Sequence, residues 1–260
     1  MKIPIYQVDA FSDKLFSGNP AAVCILDHPL DTSVMQKIAE ENNLAETAFC
    51  VQNGHSFNLR WFTPLCEVDL CGHATLATAH VLFNHRGFAG ADIEFHSKSG
   101  PLFVRKEESL LILNFPADKI TKLGTPAILT EGIGLSPAET YKGISDFMMV
   151  FESREQIEAI VPDFLKIAQA PSRGVIVTAP GRDVDFVSRY FAPQSGINED
   201  PVTGSAHTTL IPYWSRVLRK TEMKAMQLSQ RKGYLLCRLL GERVEIGGNA
   251  VTYLVGEIEV

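Results

Sequence analysis

The segment Asp69-Leu70-Cys71-Gly72-His73-Ala74-Thr75 decides how the rest of the chain is read. It follows Arg60-Trp61-Phe62-Thr63-Pro64 and runs into Leu76-Ala77-Thr78-Ala79-His80-Val81-Leu82-Phe83. The pattern predicts a strand, a turn and a helix that opens on Gly72. That helix is apolar on most faces, so it is expected at the centre of a domain. Its first turn carries free backbone N–H groups at the positive end of the helix dipole, a terminus that favours an anion. The thiol of Cys71, the bare backbone of Gly72 and the imidazole of His73 stand at that terminus.

The same order of residue types returns later. Arg189-Tyr190-Phe191-Ala192-Pro193 repeats the Arg-aromatic-Phe-x-Pro spacing. Asp200-Pro201-Val202-Thr203-Gly204-Ser205-Ala206-His207 follows, then the apolar run Leu210-Ile211-Pro212-Tyr213-Trp214. The copies lie too far apart for a solenoid period. Duplication of one domain fits better: two halves, each with a buried helix whose polar start faces a shared cleft.

Composition narrows the function classes. With 45% hydrophobic and 21% charged residues over 260 positions, the chain can bury a sizeable core as one large or two ordinary domains. A formal net charge of −6 and the lack of a basic cluster argue against a nucleic-acid partner. No apolar run is long enough for a bilayer, and the N-terminus lacks a signal-peptide core, so a cytoplasmic protein with no membrane partner is expected. The cysteines are Cys24, Cys50, Cys66, Cys71 and Cys237, with no CxxC among them. Cys66, Cys71 and His73 match no common zinc spacing, so no metal is expected.

Strands are predicted at 3–8, 21–26, 44–51 and 57–63. A Ser33-x-x-Gln36 capping box is expected to open a helix, and Asn53-Gly54 to turn a hairpin. Strands follow at 91–97, 102–106 and 110–115. Residues 117–126, polar with Gly and Pro, read as the linker between domains at 1–116 and 127–249. The second half predicts strands at 147–151, 174–179 and 185–191, short helices at 155–160 and 162–168, and a hairpin about Gly241. Strand 251–260 closes the chain and can cross back to the first domain.

Candidate site residues gather at the strand–helix joints. The glycine-led helix starts at Gly72-His73 and Gly204-Ser205 can hold a carboxylate through backbone N–H groups, since glycine admits close approach. Neither a GxxxxGK[ST] nor a GxGxxG motif is present, which disfavours nucleotide phosphates. Glu46, His73 and Asp200 can move protons or hold one another, and Ser205 can bind the ligand or orient Asp200. Thr203-Gly204-Ser205-Ala206 is not a GxSxG elbow, so Ser205 is not read as a hydrolase nucleophile. Each residue also has a structural reading: His73 as a helix cap, Asp200 as an N-cap, Ser205 as a first-turn donor.

Ala45-Glu46-Thr47-Ala48-Phe49, Arg60 to Pro64, Asp69 to Thr75 and Asp200 to His207 resemble motifs of the phenazine-biosynthesis isomerase family, the PhzF-like proteins. Gly18-Asn19-Pro20-Ala21-Ala22-Val23 and Ala250-Val251-Thr252-Tyr253 fit as well, so the resemblance spans the chain. It implies an α+β, diaminopimelate epimerase-like fold of two similar domains, each a curved mixed sheet wrapped around a central helix. It also implies a cofactor-independent isomerase with its site between the domains, and a homodimer. Glu46 matches the family's general acid/base; His73, Asp200 and Ser205 match residues that assist it and contact substrate. Ala45 stands where serine is common, which bears on substrate more than on mechanism. In the related racemases and epimerases a cysteine matching Cys71 is one of two thiol bases, but the second motif here has none. A cysteine-dependent racemase, epimerase or dehydratase, and a non-catalytic carboxylate binder, are the alternatives.

Overall fold

The computed structural model describes residues 1–260 and divides into two compact units. The first comprises Met1–Phe115 with Ile246–Val260, the second Pro116–Glu245. No helix is long and apolar enough to cross a membrane.

The first unit begins β1 (Lys2–Ala10), β2 (Asn19–Leu26), α1 (Thr32–Asn42), β3 (Glu46–Asn53), β4 (Ser56–Phe62), β5 (Glu67–Val68) and α2 (Gly72–His85). It continues through β6 (Asp92–Ser97), β7 (Gly100–Glu107) and β8 (Leu110–Pro116). The second holds β9 (Thr121–Leu123), α3 (Ala127–Ile133), β10 (Glu139–Lys142), β11 (Asp146–Val150), α4 (Arg154–Ala159) and α5 (Phe164–Ile167). Then come β12 (Gly174–Pro180), β13 (Phe186–Phe191), a 3-10 turn, α6 (Gly204–Leu218), β14 (Glu222–Gln227) and β15 (Gly233–Leu240), and β16 (Arg243–Gly248) begins in the second unit and ends in the first. The last strand, β17 (Ala250–Glu259), pairs antiparallel with β1. Residues 117–126, expected as a linker, contain β9, which pairs with β10 inside the second unit.

The duplication read from sequence is present in the strand order. In the first unit β1–β2 is antiparallel, β2–β3 parallel, β3–β4 antiparallel, β4–β6 parallel and β6–β7 antiparallel. In the second, β10–β11, β11–β12, β12–β13, β13–β14 and β14–β15 run through the same alternation. Each parallel pair needs a crossover, and helices supply it: α2 joins β4 to β6, α6 joins β13 to β14. α2 is buried from Gly72 through Ala79, as its all-round apolar sequence requires. A second layer covers the opposite sheet face, α1 over Cys24, Phe49 and Phe62 in the first unit and α3–α5 over Met149, Val177 and Val187 in the second.

The repeated Arg-x-Phe element has one structural role in both halves. Arg60 binds Glu67 through Nε (2.7 Å) and Nη2 (2.9 Å), and Arg189 binds Glu199 through the same atoms at the same distances. Each guanidinium lies over the ring two residues on, Phe62 at 5.2 Å and Phe191 at 4.9 Å.

One local expectation needs revision, and the expected hairpin forms. The Ser33–Gln36 capping box does not form: α1 starts at Thr32 with Asp31 in the N-cap position, and Gln36 instead donates to the Thr63 carbonyl at 3.0 Å. The capping box of this chain is Ser153–Gln156 at α4. Asn53 pairs with Ser56, so the hairpin loop is Gly54-His55, with Gly54 at φ 61°.

Arg189 also donates to the carbonyls of Ile157 (3.1 Å) and Ile160 (2.8 Å), which close the end of α4. Arg60 is more exposed and its extra partner is the Thr32 hydroxyl. Arg189→Met is therefore expected to lose about 2–4 kcal/mol, because it strands a part-buried carboxylate and two carbonyls. Arg60→Met should lose about 1 kcal/mol or less. Urea unfolding of the two variants measures this, and equal losses would refute the difference.

Candidate active site

Glu46 is placed by strand alternation. Phe49 of β3 belongs to the cluster against α1, so Glu46, Ala48 and Cys50 point to the other face, where α2 lies. Glu46 begins its strand and His73 sits in the first turn of α2, so the two meet at one end of the unit. Glu46 is 8% exposed and His73 4%. His73 Nε2 stands 3.1 Å from Glu46 Oε2, yet the atoms are out of line for a hydrogen bond and neither has another partner. A buried carboxylate without donors is costly, so its neighbour's charge must offset the cost.

The other ring nitrogen is also engaged. His73 Nδ1 lies 3.1 Å from Asn19 Nδ2 and 3.5 Å from Cys71 Sγ. With a neutral ring, Asn19 donates to Nδ1 and the Nε2 proton faces Glu46. Protonated Nδ1 becomes a donor, with Cys71 Sγ on its acceptor side. Asn19 enters β2 from a turn that only glycine fits: Gly18 has φ 69°, and a Cβ there would meet the Ala10 carbonyl oxygen at 2.2 Å.

Burial opposes the charge on His73, but its acidic neighbours Cys71 and Glu46 outweigh burial and hold the imidazole pKa well above 6.5. Burial, reinforced by Glu46, pushes the Cys71 thiol up to about 11. Cys71 is thus a thiol at neutral pH, and the Glu46 carboxylate is the charge that the imidazolium answers. Glu46, Cys71 and His73 offer ligand atoms within 4.8 Å of one another. Such a trio can ligate a transition metal, but burial that keeps Cys71 protonated works against it, since the thiolate is the ligand. Cys66, grouped with Cys71 and His73 from sequence, is exposed beside Thr63 and takes no part.

In the second unit Asp200 is buried, and its Oδ2 accepts from Thr203 Oγ1 at 2.5 Å. Asp200 is not the N-cap of α6; Thr203 holds that position. Gln227 locks the turn: its Oε1 accepts from Thr203 N at 2.9 Å, and its Nε2 donates to the Asp200 carbonyl at 2.7 Å. Ser205 Oγ accepts from Arg173 Nη2 at 3.1 Å. Asn19 lay inside a motif quoted from sequence without a role. Gln227 and Arg173 gave no signal there, because each lies far along the chain from the residues it holds.

Side-chain caps mark α4 and α5 alone: α1 and α3, like α2 and α6, have none and no acid in the first turn. α4 is capped by the Ser153 side chain and α5 by Asp163. At α2 and α6 the N-cap residues, Cys71 and Thr203, make no side-chain cap, and no acidic residue stands in the first turn. The N-cap carbonyl is instead held by the side chain four residues on: Thr75 at Cys71 (2.5 Å) and His207 at Thr203 (2.8 Å). First-turn N–H groups at Gly72-His73 and Gly204-Ser205 are thus left without a protein cap, as a carboxylate ligand requires.

Comparison with known proteins identifies the family and the fold. The family described as phenazine biosynthesis-like protein matches residues 8–256. An uncharacterized isomerase of Pseudomonas aeruginosa is 50% identical over 260 residues, covering 100% of both chains. The crystal structure of a PhzF-family phenazine biosynthesis protein from Enterococcus faecalis superposes with a TM-score of 0.97 at 48% identity, covering 100% of both chains. A hydroxyproline epimerase of Agrobacterium vitis shares the fold alone, with a TM-score of 0.64 at 11% identity over 99% of this chain and 92% of its own.

The raised His73 pKa sets a pH dependence. The group binds its proton more tightly folded than unfolded, so its stabilisation is complete below about pH 6.5 and is lost as pH rises through the higher folded value. Wild type should therefore lose stability above pH 6.5 more steeply than Glu46→Gln. Urea midpoints for both proteins between pH 6 and 10 test this, and parallel curves would refute it.

Proposed function

Because the chain belongs to the phenazine biosynthesis-like family and is an isomerase, we propose that Glu46 moves a proton between carbons of a small carboxylic acid without a cofactor. The observation that carries this reading is the Glu46 carboxyl itself: 8% exposed, 3.1 Å from His73 Nε2, and with an oxygen that no donor satisfies. An unsatisfied buried acid is expensive to keep, and a proton acceptor for carbon is a use that repays it. Glu46 takes a proton from the carbon beside an electron-withdrawing group and returns it to another carbon of the same molecule, so atoms and charge balance. The His73 imidazolium offsets the carboxylate charge before the transfer. The uncapped N–H groups at Gly72 and His73, and those at Gly204 and Ser205, bind carboxylate. Asp200, oriented by Thr203, and Ser205 hold the substrate.

A cysteine-dependent racemase, epimerase or dehydratase is the weaker reading. Cys71 is held protonated by burial, and no thiol stands in the second motif. Cys71→Ala is expected to keep turnover within about tenfold of wild type; a loss beyond about a hundredfold, the low end for a general acid or base, would favour the cysteine mechanism.

Glu46→Gln keeps the shape of the side chain but cannot carry a proton to carbon. Deuterium wash-in from solvent to a bound acid should fall by about a hundredfold or more in this variant, while ligand affinity holds. Glu46→Asp retracts the acid by one methylene and should be badly impaired as well. Undiminished exchange in Glu46→Gln would pass the proton-transfer role to His73 or Asp200. No exchange in wild type with any acid that binds would leave a carboxylate binder.

A further inference from the structure

We propose that Arg173 determines specificity: its guanidinium, with the Ser205 hydroxyl, binds a second carboxylate and so selects dicarboxylic acids. The inference rests on the reading above that the substrate is a small carboxylic acid.

Strand register locates the argument. Phe62 pairs with Thr47 in the first unit, and Phe191, its counterpart, pairs with Val175 in the second. Glu46 therefore corresponds to Gly174. The second unit has no acid at this position; it has an empty one, and the space is occupied. A Cβ on Gly174 would meet Tyr190 Oη at 2.3 Å. Tyr190 uses that room to donate to Asp146 Oδ1 at 3.1 Å. Asp146, 2% exposed, also accepts from Arg173 Nε at 3.1 Å and, through Oδ2, from Nη2.

Glycine, tyrosine and buried aspartate thus converge on one arginine that itself stays 40% exposed at its side chain. Bracing β11 against β12 does not need this ion pair, because backbone pairing from Asp146–Gly174 to Val150–Thr178 already joins the strands. An apolar pair would fill the volume without the desolvation cost. What the buried carboxylate adds is a fixed direction for the guanidinium. Nη2 points at Ser205 Oγ, and Nη1 has no protein partner. Since Ser205 Oγ accepts from Arg173, its own proton is free to donate. Arg173 Nη1, with its two N–H groups, and the Ser205 hydroxyl then present only donors to an incoming group, and adjacent N–H and O–H donors match the two oxygens of a carboxylate. On the reading above the first-turn N–H groups answer one carboxylate, and this set of donors answers another.

Calorimetry tests this with malonate, succinate, glutarate and L-glutamate against butanoate, pentanoate and L-glutamine. Wild type should bind at least one diacid tenfold or more tighter than its monoacid counterpart, about what a charge-assisted hydrogen bond supplies. Arg173→Lys, which keeps the charge and loses the fixed Nη1 donors, should erase most of that preference and leave monoacids within about twofold. The pair Asp146→Asn/Arg173→Gln removes both charges, leaves no unpaired buried carboxylate, and should behave alike. Binding of no diacid, an equal affinity for mono- and diacids in wild type, or an equal loss for both classes in the variants would each overturn the proposal. The isomerase reading fails separately: a diacid whose binding depends on Arg173 but which takes up no deuterium sinks that reading alone. Equal affinity for diacids and monoacids in a wild type that does catalyse deuterium uptake sinks this one alone.

Discussion

Enclosing a whole helix within a sheet is the constraint on which this structure depends. A central helix must be apolar on nearly all sides, so it has no polar face on which to carry function. Its ends are the places where polarity survives. α2 meets that condition with a buried run from Gly72 to Ala79, and its chemistry is compressed into Cys71, Gly72 and His73. The first turns of α2 and α6 carry no side-chain cap, a feature they share with α1 and α3. A side-chain cap would satisfy the N–H groups internally, as Ser153 and Asp163 do at α4 and α5, and would leave less for a ligand.

Duplication fixed the frame and left the contents free to diverge. Arg60–Glu67 and Arg189–Glu199 persist in both units with the same atoms paired, because each ties the strand before the central helix to the loop that follows it. The positions that face the ends of the central helices did not persist. Glu46 answers to Gly174, Trp61 to Tyr190, and Ala21, the partner of Glu46, answers to Asp146, the partner of Gly174. One unit keeps a buried acid with an oxygen that no donor satisfies; the other keeps an acid paired with an arginine. In the proposed reading one frame serves proton transfer in one half and anion recognition in the other.

Much of this was legible in the sequence for a definite reason. Central helices and their glycine starts announce themselves locally, since the apolar run, the glycine and the preceding Arg-x-Phe strand are contiguous. Glu46 was visible because an acid at the head of an apolar strand breaks the pattern. Asn19, Arg173 and Gln227 were not assigned, because each is defined by a partner supplied from a distant part of the chain. β14 was missed for a different reason: Glu222-Met223-Lys224-Ala225-Met226 is rich in helix formers, and only tertiary pairing makes it a strand, with Met223 and Ala225 turned inward. The Ser33–Gln36 pair shows the converse, a sound local signal overridden because Gln36 finds the Thr63 carbonyl.

The two buried histidines of the central helices show how far environment decides chemistry. His207 donates Nδ1–H to the Thr203 carbonyl, meets no acid, and burial pushes its pKa down to about 4, so it is a neutral spacer. His73 is buried to a similar degree but lies beside Glu46 and Cys71, and its pKa moves the other way. Sequence places both rings at glycine-led helix starts and cannot separate them. The difference is one carboxylate, delivered by the first residue of β3 on the face that alternation assigns to α2. Moving that strand by one residue would turn Glu46 toward α1 and leave His73 in the condition of His207, a buried neutral ring with no proton to exchange.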